Sequence, residues 1–278
     1  MNSPRVISAI AGQTFKESIR AKWLIMFTVV YFLVTINVPF LILILERLLP
    51  PTTLNSYLVY LGTTSYPFLP LLSLPLGALS IVEEKESGTL QYLLSNPLSR
   101  MQFLAGRFLG LTVSTSLVLV AGYAIAAVVA FNVKTTVLEG LGFIVGLSLG
   151  LNVIMLAIAL VISTMSKRKV TALSVAIFLW FLLVLISDFG GSFGVIISIA
   201  NGTKVALISA LLNPIESAGL ISEIHLNAYG AELALTGEII ENSFGATNGL
   251  WIMGLSLFLW GALAVGLMIL LFKYVDLV

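Results

Sequence analysis
Side chains able to do covalent or metal chemistry are scarce in this sequence of 278 residues, which holds one histidine and no cysteine. The missing cysteines remove a disulfide framework, a thiolate metal site and a thiol nucleophile together. No G-x-x-x-x-G-K-[ST] phosphate loop occurs, so the chain does not cradle ATP in the usual way. His225 stands two positions after Glu223, and this pair reads as surface chemistry rather than a site. An enzyme working inside the apolar segments would need a nucleophile with a base in reach, or paired carboxylates. Those segments contain no His, Asp or Glu, and nothing more polar at depth than Asn37 and Asn152.

Charge and apolar character meet instead in one connection, which runs from Glu83, Glu84, Lys85 and Glu86 through Ser87-Gly88-Thr89-Leu90 to Leu93, Leu94, Asn96 and Pro97. It reads as a short helix. Leu90, Leu93 and Leu94 make its apolar stripe, the acidic cluster lies ahead of its first turn where the helix dipole favours it, and Asn96-Pro97 stops it. Ser99 and Gln102 then form a capping box for a helix that runs through Arg107 into the next apolar segment. Held between two membrane helices, such a segment can transmit force from a soluble partner; it also reads as a solvated loop that merely connects.

The elements that hold this connection are membrane helices. Hydrophobic residues make up 59% of the chain, charged residues 10%, and mean hydropathy is +1.08. Soluble domains are about half apolar and about a quarter charged. A hydrocarbon core about 30 Å thick takes about 20 apolar residues to cross as a helix, and six windows qualify: 23–45, 57–82, 108–131, 140–165, 171–187 and 249–272. Every ionisable residue falls outside or at the ends of these windows. The expectation is an all-α integral membrane protein, with the 278 residues forming a single transmembrane domain. The first apolar run follows a long charged lead with no small-residue cleavage pattern behind it, and reads as a retained span.

Arg5, Lys16, Arg20, Lys22, Lys85, Arg100, Arg107, Lys167, Arg168, Lys169 and Lys273 fall on one side, against Arg47, Lys134 and Lys204 on the other. The positive-inside rule then puts both termini in the cytoplasm. Residues 1–22 form an interfacial helix with Ile7, Ile10, Ala11, Phe15 and Ile19 on one face, either a lever feeding the first span or an anchor. Residues 188–248 form an outer segment whose carboxylates, Glu216 and Glu223 among them, leave the outer surface anionic. Within it, 194–212 is apolar enough to be a seventh span, but Asn201, Gly202 and Lys204 interrupt it and it reads as lying in or dipping into the outer interface, and Ile215 to Glu241 reads as one helix. Pro67, Pro70 and Pro75 predict a bent or unwound second span, consistent with a translocation path or with the commonness of proline in membrane helices. Gly142, Gly146, Ser148 and Gly150 read as a packing face in the fourth span.

The connection, with Glu84, Glu86, Ser87-Gly88-Thr89-Leu90, Leu93-Leu94, Pro97, Arg100 and Gly106-Arg107-Phe108, resembles that of the permease subunits of the ABC-2 class of ABC transporters. So does the elbow leading into the first span, Phe15-Lys16-Glu17-Ser18-Ile19-Arg20-Ala21-Lys22-Trp23, together with Ser166-Lys167-Arg168-Lys169, Asn213-Pro214 and the carboxyl end. Six spans with a long outer segment before the last look most like permeases of the type that serves nitrous-oxide reductase maturation. The resemblance implies a dimer of permeases with one pair of ATPase subunits docked below, and 83–107 as the cytoplasmic coupling segment.

On that resemblance a second copy of this chain, the lipid bilayer and an extracytoplasmic protein on the outer segment are further partners, and no nucleic acid is expected. ATP belongs to the partner subunit, and this chain binds no cofactor of its own. Nucleotide-driven closure would act through Glu83 to Leu94 and through the elbow at Lys16, Arg20, Lys22 and Trp23, opening a path outward in an exporter of the cell membrane. Were the cargo copper, soft Met, His or Cys donors would be expected in the outer region, where His225 stands without Met or Cys. Two other classes stay open: an ion-coupled carrier, for which the spans lack the usual ionisable relay, and a non-transporting anchor or mechanical transmitter for an ATPase.

Overall fold
The computed structural model describes residues 3–45, 54–90, 99–131, 135–197, 202–228 and 234–274. These form α1 (Ser3–Arg20), α2 (Lys22–Leu45), α3 (Leu54–Ser65), α4 (Phe68–Glu86), α5 (Arg100–Phe131), α6 (Thr135–Met165), α7 (Lys169–Ile197), α8 (Gly202–Leu212), α9 (Pro214–Leu226), α10 (Ala234–Phe244) and α11 (Ala246–Tyr274), with no strand among the described residues. Five runs are long and apolar enough to cross a bilayer: Asn55–Glu86, Arg100–Val129, Glu139–Met165, Lys169–Ser187 and Ala246–Tyr274. A sixth comes from α1 and α2 together, bent by 65° at their junction. The all-helical membrane architecture expected from the apolar windows is the one observed.

The helices form because each window is apolar throughout and satisfies its backbone internally, which lipid requires. Lipid tails are as apolar as leucine, so the helices associate through close packing and polar contacts rather than through the hydrophobic effect. The second span, α3 and α4, is the most buried, with Leu69, Leu72, Leu74, Ala78, Ile81 and Val82 nearly inaccessible. Asn152 of α6 lies at its side: Ser73 Oγ donates to Asn152 Oδ1 at 2.5 Å, and Asn152 Nδ2 donates to Thr115 Oγ1 at 2.9 Å. One amide thereby ties α4, α5 and α6. Ser163 Oγ accepts from the backbone N–H groups of Ile81 and Val82 at 3.0 and 2.9 Å. By contrast α7 exposes Val170, Val175, Phe178, Phe181 and Leu182, an apolar face suited to lipid or to another apolar surface.

The proline-rich span breaks where its sequence demands it. The helix stops at Ser65 and restarts at Phe68, after Pro67. The Pro67 carbonyl is satisfied from outside the helix, by Trp180 Nε1 of α7 at 2.8 Å. Pro75 lies inside α4, and both it and Pro70 are buried.

The segment after the fifth window agrees with the sequence reading in one respect and differs in two. First, α7 runs on to Ile197, well past residue 187. Second, as the reading of 194–212 as non-spanning has it, α8 has 11 residues, about 16 Å of helix, too short to cross a bilayer. It returns towards the bundle: Asn213 Nδ2, just beyond its end, donates to the Leu183 carbonyl of α7 at 2.7 Å. Third, the stretch from Ile215 to Glu241 is two helices. Asn227 ends α9 with φ 48°, and the Ala228 N–H bonds back to the Glu223 carbonyl at 3.1 Å, a left-handed cap that asparagine tolerates.

Because α9 starts at the depth of Leu183 and ends where Asn55 Nδ2 donates to the Leu226 carbonyl at 2.8 Å, it is packed within the bundle. Glu216 and Glu223 are both fully buried, which corrects their reading as outer-surface charges. His225 is exposed, in keeping with its reading as surface chemistry, and stacks on Phe143 with ring centroids 3.9 Å apart. A Cβ added at Gly142, Gly146 or Gly150 would meet nothing within 4 Å, and the three line an apolar groove of about 750 Å³ beside Leu257 and Phe258.

Candidate functional site
The acidic cluster closes α4. Its last turn carries Glu83, Glu84 and Glu86, at the helix end where the dipole disfavours negative charge. The cluster also stands ahead of Thr89 and Leu90, where helix resumes, as its reading as preceding a first turn has it. Two contacts offset the cost: Glu84 pairs with Arg107, and Glu86 Oε2 accepts the backbone N–H of Lys169 at 2.9 Å. Lys85 Nζ donates to the Thr164 carbonyl at 2.8 Å, tying α4 to the end of α6.

Gly88, at φ +73°, supplies the left-handed residue that ends α4. The Ser87 N–H reaches the Glu83 carbonyl, the Gly88 N–H reaches the Lys85 carbonyl, and the Ser87 and Thr89 hydroxyls meet at 2.8 Å. Glu83, Glu86, Ser87, Gly88 and Thr89 are exposed. Leu90 turns inward and is buried in a cluster with Ile81, Phe103, Leu104 and Phe272. Leu93, Leu94 and the Asn96-Pro97 stop lie outside the described residues. Beyond them the expected capping box is present: Gln102 N–H to Ser99 Oγ and Ser99 N–H to Gln102 Oε1, each at 3.1 Å.

Arg107 joins the parts. One of its terminal nitrogens pairs with Glu84 of α4 and the other with Glu17 of α1 at 2.7 Å. Its guanidinium also stands over the Phe103 ring, 5.6 Å from the centroid. The side chain is only 10% exposed. A planar fork suits two carboxylates in a way that a lysine ammonium does not. Three elements are thus fixed to one another through one charge: the elbow, the end of the second span and the start of the third.

The elbow lies along α5. A Cβ added at Gly106 would stand 2.6 Å from the Cβ of Ile10, and one at Gly110 would stand 2.6 Å from the Ala11 carbonyl oxygen. Glycine four residues apart lets the two backbones approach. The buried elbow face includes Thr14 and Ser18, whereas Ile19, expected on the apolar face, is 46% exposed. Lys16, Arg20 and Lys22 are exposed; Trp23 is half-buried and stacks on Phe27 with centroids 5.7 Å apart. Replacing Gly106 with valine is expected to destabilise the chain by about 1–3 kcal/mol, the usual cost of overpacking. Thermal melting in detergent measures the loss, and faster proteolysis within residues 3–20 would locate it at the elbow.

A family model described as ABC-2 family transporter protein matches residues 8–277. The chain belongs to the ABC-2 family. It is similar to a protein named "Probable ABC transporter permease protein NosY" from Pseudomonas aeruginosa, 28% identical over 271 residues, covering 94% of this chain and 96% of the relative. A protein of the same name from Stutzerimonas stutzeri is 30% identical over 184 residues, covering 64% of this chain and 67% of the relative.

In this ABC-2 chain the structure brings the exposed Glu83–Thr89 turn and the elbow together through Arg107. It leaves Pro67, Pro70 and Pro75 apart from both, packed along the second span. Arg107 stood in the sequence motif without a role. Its partners could not be read, because Glu17 and Glu84 are 90 and 23 positions away in sequence and nothing local selects them. The Gly106–Gly110 spacing was readable as a close-contact signal. No group of three or more His, Cys, Asp or Glu side chains suited to a metal occurs among the described residues.

Proposed function
We propose that this chain is the membrane-spanning permease subunit of an ATP-driven exporter, working as a dimer with separate ATPase subunits that dock at the cation-rich end. On this reading that end is cytoplasmic and both termini lie there. The observation that carries it is the Arg107 junction, which gives a soluble partner pressing on Glu83–Thr89 a rigid connection to the elbow and two spans. The names of the relatives support the permease assignment. No cargo is assigned.

Docking is tested at exposed positions, since Glu84 faces inward. Glu83→Lys with Thr89→Lys is expected to abolish co-purification with an ATP-binding subunit while leaving the chain monodisperse. Undiminished association would remove this turn as the dock. Orientation is tested in the naturally cysteine-free background: Ser87→Cys and Thr247→Cys are expected to label from opposite faces of sealed vesicles, with Ser87→Cys reacting from the cytoplasm.

A second reading, an ion-driven carrier, draws on Glu216 and Glu223 buried inside the bundle, since intramembrane carboxylates mark ion and proton relays. It requires flux by the lone chain under a proton or sodium gradient. Flux that depends on an ATPase and ATP excludes it.

A further inference from the structure
One side of the elbow carries charge that the rest of the chain leaves unbalanced. Ile10 and Thr14 face α5, where Gly106 and Gly110 bring the two backbones together. On a helix of 3.6 residues per turn, Arg5, Gly12, Lys16 and Arg20 fall within an arc of about 80° on the opposite side. All four are exposed, and a Cβ added at Gly12 would meet nothing within 4 Å. Gly12, Lys16 and Arg20, with Ser8 and Gln13, edge an open recess of about 490 Å³. Glu17 edges it too but is engaged elsewhere: its Oε2 pairs with Arg107 at 2.7 Å, and its Oε1 accepts from Gln13 Nε2 at 2.9 Å. Among the described residues no carboxylate pairs with Arg5, Lys16, Arg20 or Lys22.

The charge defines the occupant. Like charges four residues apart on a helix repel, and an anion seated between Lys16 and Arg20 relieves that repulsion. A phosphate suits the pair: the planar fork of Arg20 can take two of its oxygens while Lys16 adds a point charge. The neighbouring surface fixes the source. Ile19, 46% exposed, borders the cations, and beyond the bend α2 exposes Ile25, Met26, Val29 and Leu33. Lysine and arginine lay their aliphatic stems along such a surface and keep the charge at headgroup level. An acidic protein segment would meet the cations and leave the apolar band uncovered; a diacyl phospholipid with net negative charge covers both.

We infer that Lys16 and Arg20, beside Gly12 on the exposed face of the elbow, bind the headgroup of an anionic phospholipid whose acyl chains lie along the exposed face of α2. Net charge is what this face selects, since a zwitterionic headgroup brings an ammonium that the two cations repel. The bound lipid holds the elbow to the leaflet on one side while Arg107 holds it to the bundle on the other. This goes beyond the coupling reading and is tested without an ATPase, so its failure leaves docking untouched.

Native mass spectrometry of the detergent-solubilised full chain, titrated with phosphatidylglycerol, phosphatidylethanolamine or phosphatidylcholine, provides the test. Phosphatidylglycerol is expected to be retained about tenfold better than either zwitterionic lipid, the order of effect that two cations have at an anionic membrane surface. Lys16→Gln with Arg20→Gln is expected to abolish the preference, and because both side chains are exposed the chain should keep its melting temperature. Lys167→Gln with Arg168→Gln removes the same charge from another exposed site and should leave the preference in place. Equal retention of all three lipids by the unsubstituted chain would overturn the inference and leave the face to an acidic protein. So would a preference that survives in the elbow variant, or one lost equally in both double variants, which would make the attraction one to overall charge. Free glycerol phosphate raising the melting temperature as much as phosphatidylglycerol does would make the ligand soluble and overturn the lipid assignment.

Discussion
Arg107→Ala is expected to destabilise the folded chain by about 3–5 kcal/mol, the cost of stranding a buried charge by removing its partner. Glu84 is the charge left behind. Its side chain is 15% exposed and belongs to the last turn of α4, where the helix dipole already works against a carboxylate. Glu17 is 48% exposed and can turn to water, so its loss of partner matters less. Arg107→Lys should recover only part of the loss, because one ammonium cannot reproduce the fork that serves α1 and α4 together. Arg107→Met with Glu84→Gln should recover more, since it removes the stranded charge itself. Thermal melting in detergent orders the four chains. An Arg107→Ala melting curve that superimposes on that of the unsubstituted protein would sink the account of Arg107 as the junction.

What could be read beforehand follows from what lipid enforces. An apolar run long enough to cross is visible in any single sequence, so the six windows from 23–45 to 249–272 found the spanning helices, and Pro67 marked the break in the second. Local chemistry was equally readable: Ser99 and Gln102, three residues apart, form the reciprocal bonds their types predict. Pairings between distant segments were not. Nothing near Arg107 names Glu17 or Glu84, and nothing near Pro67 names Trp180. The outer segment misled for a related reason. Carboxylates spaced along a short helix look solvated unless one knows that the helix folds back into the bundle, and that return depends on Asn213 reaching Leu183, thirty residues earlier. Asn227, by contrast, carried a local signal for the end of α9, since asparagine is a common left-handed cap.

Glu216→Gln is expected to change how stability depends on pH. Glu216 is fully buried; Ser209 Oγ donates to its Oε1 at 3.1 Å, and its Oε2 has no hydrogen-bond partner. The break at Asn213-Pro214 places the two residues side by side, with Ser217 Oγ donating to the Ala210 carbonyl at 2.6 Å from the same turn. Burial pushes the carboxyl from its ordinary 4.5 up to about 8, against the opposing effect of the Ser209 hydroxyl. The native chain therefore keeps this proton over a range in which the unfolded chain has released it. Stability from this group is complete below pH 4.5, falls as pH rises, and is lost above about 8. Each pH unit in that window is worth about 1.4 kcal/mol, so the total reaches several kcal/mol. Glutamine keeps the shape and an acceptor for Ser209 but has no proton to lose. The variant should match the unsubstituted chain at pH 5 and melt at a clearly higher temperature at pH 9. Because every other titrating group is common to both chains, the difference between the two melting curves isolates this carboxyl, and curves that run parallel from pH 5 to 9 would show that Glu216 meets water or a cation in the folded protein.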